Sequence, residues 1–370
     1  MGHPADLSEC SCSRGRAAAL GVDVGADRIT AVVASGRGQV VSSLSRPVPE
    51  GCRSDGHRLA QEIGGVITAL RASTARELGG EVSGGEAGAS AEAPALTVGI
   101  CVPGVVDEDA GCVRRSDALG LQDVALASLV SRCLTADAAE VVLYQEDRCG
   151  AWAESRWGAG GESCLYLCVD ASVSAAVLLN GVPLLGGGWA GQVGQVLVSD
   201  PDWSGERARL EDVASVDAMV GRYTAGIVDD SVDGSASDSV DGSDGFVPSG
   251  GAGDSGSASI RVSAGRAGQV ASGLDSLLEA MRSGDREARR VWGTGLDALA
   301  DLIARGAGLL GPLDVVVCSE LTGAGGAVFL EPLRQRVADL MAGLPVPSLL
   351  PARLGEVAPA LGAAGRALEN

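Results

Sequence analysis

Residues 167–181 read LCVDASVSAAVLLNG. They set one carboxylate and two hydroxyls, Asp170, Ser172 and Ser174, between two strand-like runs. A turn that cradles phosphate is normally rich in glycine. Glycine reaches φ > 0, and without a Cβ it lets backbone N–H groups come close to the anion. No glycine stands between Asp170 and Ala176, so the residues taken alone read as an ordinary strand. All 28 residues counted as Lys plus Arg are Arg, which removes a lysine nucleophile, a Schiff base and a phosphate-loop lysine from consideration. The ten cysteines form no framework. Cys101, Cys164, Cys168 and Cys318 lie in apolar runs, where cysteine behaves as a small hydrophobe. Cys10, Cys12 and His3 could hold a metal, but their setting reads as a polar terminus.

The chain that positions these residues has 370 of them, is 46% hydrophobic, and is long enough for two domains. Net charge is −20. Its densest basic stretches, Arg14/Arg16, Arg114/Arg115 and Arg286/Arg289/Arg290, are short, so no clustered positive face for nucleic acid is expected. The first sixteen residues lack the apolar core of a signal peptide, and no run approaches a membrane span in length. A reduced, cytoplasmic chain with neither nucleic-acid nor membrane partners is expected.

Residues 17–41 read as a three-stranded meander with turns at 25–27 and 36–38. A helix over 56–77, a loop at 79–94 and a buried strand within 95–107 follow. A helix is expected over 121–134, then the strand AEVVLYQED and the helix RCGAWAESRWG. A second β-rich stretch covers 164–199. Residues 225–259 are Asp/Ser/Gly-rich and read as a disordered insertion, as do residues 1–16 at the N-terminus. A long helical region over 273–310, broken at Gly284 and Gly293, precedes a strand at 313–319, a helix at 328–343 and a last strand–helix pair. This order describes two similar α/β halves with a ligand cleft between them.

Six blocks carry a family resemblance: LGVDVGADRITAVVASGRGQVV, VGICVPGVVDEDAGCV, AWAESRWGAG, GGGWAGQVGQVLVSD, LDVVVCSELTGAG and LGEVAPALGAAGRALE. In order and spacing they resemble the ROK family of sugar kinases and sugar-responsive repressors. The resemblance runs from residue 17 to 370 apart from the acidic insertion. It implies a two-domain, actin-like (hexokinase-like, ribonuclease H-like) ATPase fold. The N-terminal domain would be 17–136 with 352–370 packing back on it, and the C-terminal domain 137–351. It also suggests a homodimer.

Site by site, the resemblance implies changed chemistry. The first phosphate turn of the family aligns with Asp23-Val24-Gly25-Ala26-Asp27, which keeps Asp23 and Gly25 but carries a carboxylate, Asp27, for the phosphate-binding hydroxyl. The second aligns with 170–176 and has lost its four glycines. Asp170 there would repel a phosphate charge about 5 Å away by roughly 3 kcal/mol at an effective dielectric near 20. The adenosine-side Gly-Gly aligns with Ser319-Glu320. The catalytic Asn-Asp pair aligns with Gln145-Glu146, making Glu146 the candidate base, with Asp147 beside it as a second possibility. The sugar- and zinc-gripping segment aligns with Gln192-Val193-Gly194-Gln195, and the asparagine of a sugar contact aligns with Ala118. Asp202, Ser204 and Arg209 stand where the family has zinc cysteines, so zinc is not expected, while Leu210 and Glu211 keep the pattern.

Three functions follow from this pattern. One is a non-catalytic ligand-sensing or interaction module whose ligand is a sugar or sugar phosphate. The alternative is an active ATP-dependent hexose or amino-sugar kinase using Glu146, which alone would need ATP and magnesium. The third is nucleotide-free chemistry with Glu146 and Glu211 as a carboxylate pair. The family's repressors carry a winged helix, for which the sixteen residues before the first strand are too few.

Overall fold

Glycine and alanine decide how closely the layers of this protein approach. Gly21 and Gly99 lie on neighbouring parallel strands, and a Cβ on either would fall against the backbone of the last helix, at Ala360 and Ala363. Gly362 of that helix meets the Cys149 backbone in the same way. The helix therefore seats directly on the strands that end at the candidate site.

The computed structural model describes residues 18–79, 97–134, 140–233, 264–322 and 326–369. The N-terminal segment 1–16, with Cys10, Cys12 and His3, lies outside the described residues, as does nearly all of the 79–94 loop.

The first half comprises β1 (Ala18–Val24), β2 (Arg28–Ser35), β3 (Val40–Pro47), α1 (Gly56–Gly79), β4 (Val98–Val102), β5 (Val105–Asp107), β6 (Cys112–Ser116), β7 (Leu121–Val124), α2 (Leu126–Cys133) and β8 (Val141–Gln145). Its five-stranded sheet has the order β3-β2-β1-β4-β8: a meander, then two strands parallel to β1. β5, β6 and β7 form a small antiparallel sheet.

Next come α3 (Glu146–Trp157), β9 (Cys164–Val169), β10 (Val173–Leu179), β11 (Val182–Pro183), β12 (Leu197–Ser199), β13 (Arg207–Arg209), α4 (Leu210–Ala214), α5 (Val216–Asp233), α6 (Ala264–Ser283), α7 (Arg286–Leu310), β14 (Asp314–Cys318), α8 (Leu330–Met341), β15 (Leu349–Pro351) and α9 (Ala358–Glu369). The second large sheet, β11-β10-β9-β14-β15, repeats the plan of the first: an antiparallel meander about β9, then β14 and β15 parallel to it. Each half has its own aliphatic core, and α9 packs against Leu20's sheet through Leu361 and Ala364. No helix among the described residues is long and apolar enough to cross a membrane.

Four expectations need correction. The helix expected from residue 121 begins at Leu126, because Leu121–Val124 pairs with β6 after a turn closed by Gly120 at φ +64°. Gly284, at φ +94°, does end α6, but α7 runs unbroken through Gly293. There the Asp285 cap, which accepts from Ala288 N at 2.7 Å, and a buried Val291–Trp292–Leu296–Leu299 face outweigh the roughly 1 kcal/mol cost of a helical glycine. Helix α5 continues to Asp233, so residues 225–233 are helical; the remainder of the acidic stretch lies outside the described residues. A boundary at 137 would also detach β8 from the sheet it completes by pairing with β4.

Candidate functional site

Strand β8 runs straight into α3, and Gln145 is the cap between them. Its Oε1 accepts from Arg148 N at 2.9 Å, while its Nε2 donates to Asp147 Oδ2 at 2.7 Å. Gln145 is buried and satisfied at both ends, so it shapes the helix start rather than facing a ligand. The cap puts Glu146 and Asp147 in the first turn, where the helix dipole favours negative charge.

Three carboxylates meet here. Asp23, at the end of β1, accepts from Cys101 Sγ at 3.4 Å. Asp147 accepts from Ser174 Oγ of β10 at 2.9 Å, bridging the two halves. Burial pushes the Asp23 carboxyl up to about 7, with the charge of Asp147 adding to it. Glu146 rises well above its usual range through burial and then the charges of Asp23 and Asp147. Asp147 is raised by burial, against hydrogen bonds from Gln145 and Ser174. Burial and like charge disfavour ionisation throughout this cluster. A general base must be ionised to act, and that environment works against it at Glu146.

The turn after β9 is tied into the chain. Asp170 N donates to Ser172 O at 3.1 Å, and Ala175 N donates to Gly191 O at 2.9 Å. No residue from 170 to 176 has φ > 0. The Asp170 carboxylate accepts the Glu320 backbone N–H at 3.0 Å, and Ser319 Oγ donates to Val169 O. The turn at Asp170 and the segment at Ser319-Glu320 are thus stitched to one another. Burial lifts Asp170 to about 7, and the charges of Glu320 and Asp217 push the same way. Ser172 is exposed at the tip, whereas Ser174 turns inward to Asp147. In the first turn, Gly25 N donates to Arg28 O, and Asp27 is spent on an exposed ion pair with Arg53 at 2.8 Å. These turns do not fit a triphosphate held by backbone amides: the N–H groups of Gly25, Asp170 and Ala175 are already bonded within the chain, and acids stand at Asp27 and Asp170.

On the other side, Gln192 Nε2 donates to Gly104 O at 3.3 Å. Gln195 Nε2 donates to Glu211 Oε1 at 2.7 Å, and burial raises Glu211. Glu211 is turned to Gln195 and Arg209, so it forms a group separate from Glu146 and its neighbours. The hairpin β12–β13 carries no zinc-type donor set. Asp202 is held by Arg222 at 2.7 Å and Arg290 at 2.6 Å, and Arg209 pairs with Asp212 at 3.0 Å. Two guanidiniums on one carboxylate hold it down at about 2 and do not fit a cation. Among the described residues, no group of three or more His, Cys, Asp or Glu could hold a metal ion.

Sequence reasoning missed the buried hub beside the cleft. Arg148 and Glu108 pair at 3.0 Å, and Arg366 reaches the other Glu108 oxygen at 2.6 Å while stacking on Tyr144. Arg148 Nη2 also donates to Leu185 O and Gly188 O of the second half at 3.1 and 3.0 Å. Three residues separated by up to 258 positions leave no spacing signal. The one available cue was Arg148 itself, a charge directly after two acids.

The family profile described as the ROK family matches residues 19–369. Among curated proteins none matches. Among solved structures, the chain is similar to the ROK hexokinase from Thermus thermophilus, at 22% identity and a TM-score of 0.67, covering 95% of this chain and 98% of that one. It is also similar to a ROK family glucokinase from Streptomyces griseus in complex with glucose and AMPPNP, at 21% identity and TM-score 0.64, covering 95% and 100%. A ROK family transcriptional regulator, homolog of the E. coli MLC protein, matches at 18% identity and TM-score 0.65, covering 95% and 78%. The doubled α/β plan is therefore the actin-like, hexokinase-like fold, and the chain belongs to the ROK family.

Proposed function

We propose that this ROK-family protein is a non-catalytic module that senses a sugar or sugar phosphate in a reducing, cytoplasmic setting, and that it transfers no phosphate. The observation that carries this reading is the hydrogen bond from Glu320 N to the Asp170 carboxylate at 3.0 Å, which ties the two nucleotide-side positions together. Side chains at 170–176, where glycine would admit phosphate, support it. So does the burial beside two acids that disfavours ionisation of Glu146 at the base position. A sugar ligand is suggested by the glucose and sucrose named for ROK proteins of Streptomyces griseus and Streptococcus pneumoniae.

The rival, an ATP-dependent sugar kinase using Glu146, draws on the convergence of Asp23, Glu146 and Asp147 at the junction of the halves. Calorimetric titration with ATP and magnesium, then with a panel of hexoses, amino sugars and their phosphates, separates the two. No heat with nucleotide and saturable heat with one sugar is expected. Saturable ATP binding with phosphate transfer to a sugar overturns the proposal.

A further inference from the structure

The in-register parallel strands β9 and β14 set Cys168 beside Cys318 at their C-terminal ends. Registered residues on adjacent strands project from the same face, and strands lie about 4.7–4.9 Å apart. That spacing falls inside the Cα separation of about 4.4–6.8 Å spanned by a disulfide. The two thiols are hydrogen-bonded to each other. The Asp147 carboxylate neighbours Cys168, and the buried Tyr166 hydroxyl, which has no hydrogen-bond partner, neighbours Cys318. Both thiols are partly exposed, whereas the other close pair, Cys101 and Cys149, is fully buried. The corresponding strands of the first half place Asp23 beside Cys101, a carboxylate and a thiol. Only the second half sets two thiols side by side at that register.

We propose that Cys168 and Cys318 are an oxidisable dithiol, a modification site at which a hydroperoxide converts the two thiols to an intramolecular disulfide. The Cys318 sulfur attacks the peroxide oxygen, the O–O bond breaks, and a sulfenic acid forms as hydroxide or alkoxide leaves. The Cys168 sulfur then attacks the Cys318 sulfur. The S–S bond forms, the S–O bond breaks, and the departing hydroxide takes the Cys168 proton and leaves as water. Two thiols are oxidised, and the peroxide is reduced to water, or to water and an alcohol. Cys318 is the attacking sulfur, because the adjoining Cys168 thiol lowers its pKa and favours the thiolate. The bond would join the strand that leads to Asp170 to the strand that leads to Ser319 and Glu320. It does not depend on whether the cleft binds sugar or nucleotide.

The test uses the full chain with Cys10, Cys12 and Cys133 replaced by Ser. It is treated with hydrogen peroxide, blocked with N-ethylmaleimide, digested without reduction and mapped by mass spectrometry. The expected result is a dithiothreitol-reversible Cys168–Cys318 peptide that appears before Cys101 or Cys149 is modified. In Cys168→Ser, Cys318 should instead stop at a dimedone-reactive sulfenic acid; in Cys318→Ser, Cys168 should stay reduced. Cys168→Ala replaces the serine variant if thermal melting shows the latter unfolded. Recovery of both thiols alkylated while other cysteines oxidise overturns the proposal. So does separate oxidation of the two without a link.

Discussion

Asp147 and Arg148 are consecutive residues in the first turn of α3, yet they lead into two opposite electrostatic regions. From Arg148 the network runs to Glu108 and Arg366, and each charge meets an opposite charge at 3.0 Å or less, with carbonyls of Leu185 and Gly188 taking further protons. From Asp147 it runs to Glu146 and Asp23, all of one sign, relieved mainly by neutral donors such as Ser174, Gln145 and Cys101, with the charge of Arg148 easing Asp147 alone. Burial is similar in both, so the difference lies in compensation. A buried charge that is paired holds the halves together; one that is unpaired shifts its pKa and retains a proton. Strained electrostatics of this second kind is typical of functional sites.

The largest test breaks the compensated side. Arg148→Met should lower stability by about 2–4 kcal/mol, read as a clear fall in melting temperature, because the Leu185 and Gly188 carbonyls lose their donor and Glu108 keeps only Arg366. An unchanged melting temperature would deny the hub its role.

The second test relieves the uncompensated side. The Asp23 carboxyl is raised to about 7 in the folded protein, so the unfolded chain releases its proton first as pH rises from about 4. Ionisation then works against folding, and the full cost is reached above about pH 7. Asp23→Asn should therefore be nearly neutral at pH 4.5 and stabilising by on the order of 1–3 kcal/mol at pH 8. Asp170→Asn should follow the same pH course, since Asp170 is also raised to about 7. A difference from the parent that does not grow between these pH values would contradict the buried-acid picture.

The third test concerns a compensated cluster nearer solvent. Asp202 is held at about 2 by Arg222 and Arg290, so its contribution is present above the ordinary aspartate range and fades as pH falls toward 2. Asp202→Asn should cost about 1 kcal/mol at pH 7, seen as a small drop in denaturation midpoint that vanishes in acid. Smallest of all, Asp27→Ala removes an exposed ion pair with Arg53 and should shift stability by less than about 0.5 kcal/mol.

Much of the fold could be read from the chain because its signals are local. Alternation made β1–β3, β9 and β10 recognisable, and apolar runs marked β4 and β14. The errors were places where a local signal lost to a tertiary one: Gly293 kept helical by the buried face of α7, and Leu121–Val124 drawn into a strand by β6. At the site, Asp23, Glu146 and Asp170 were legible as acids at strand ends. What they would touch was not, since hydrogen-bond partners such as Ser174 for Asp147 and Glu320 for Asp170 lie 27 and 150 residues away.

By itself the sequence determined the order of elements, the lack of glycine in 170–176, the absence of Cys and His around Asp202, and the lysine-free, acidic composition. Each is a property of residue type and spacing, which a one-dimensional chain displays directly. Only the tertiary structure decided that Gln145 is a helix cap, that Asp170 closes onto Glu320, that Glu146 is a buried acid among acids, and that Cys168 and Cys318 stand side by side. Those properties depend on desolvation and on distances between groups far apart in the chain, and both come into being only when the two sheets form and meet at α3.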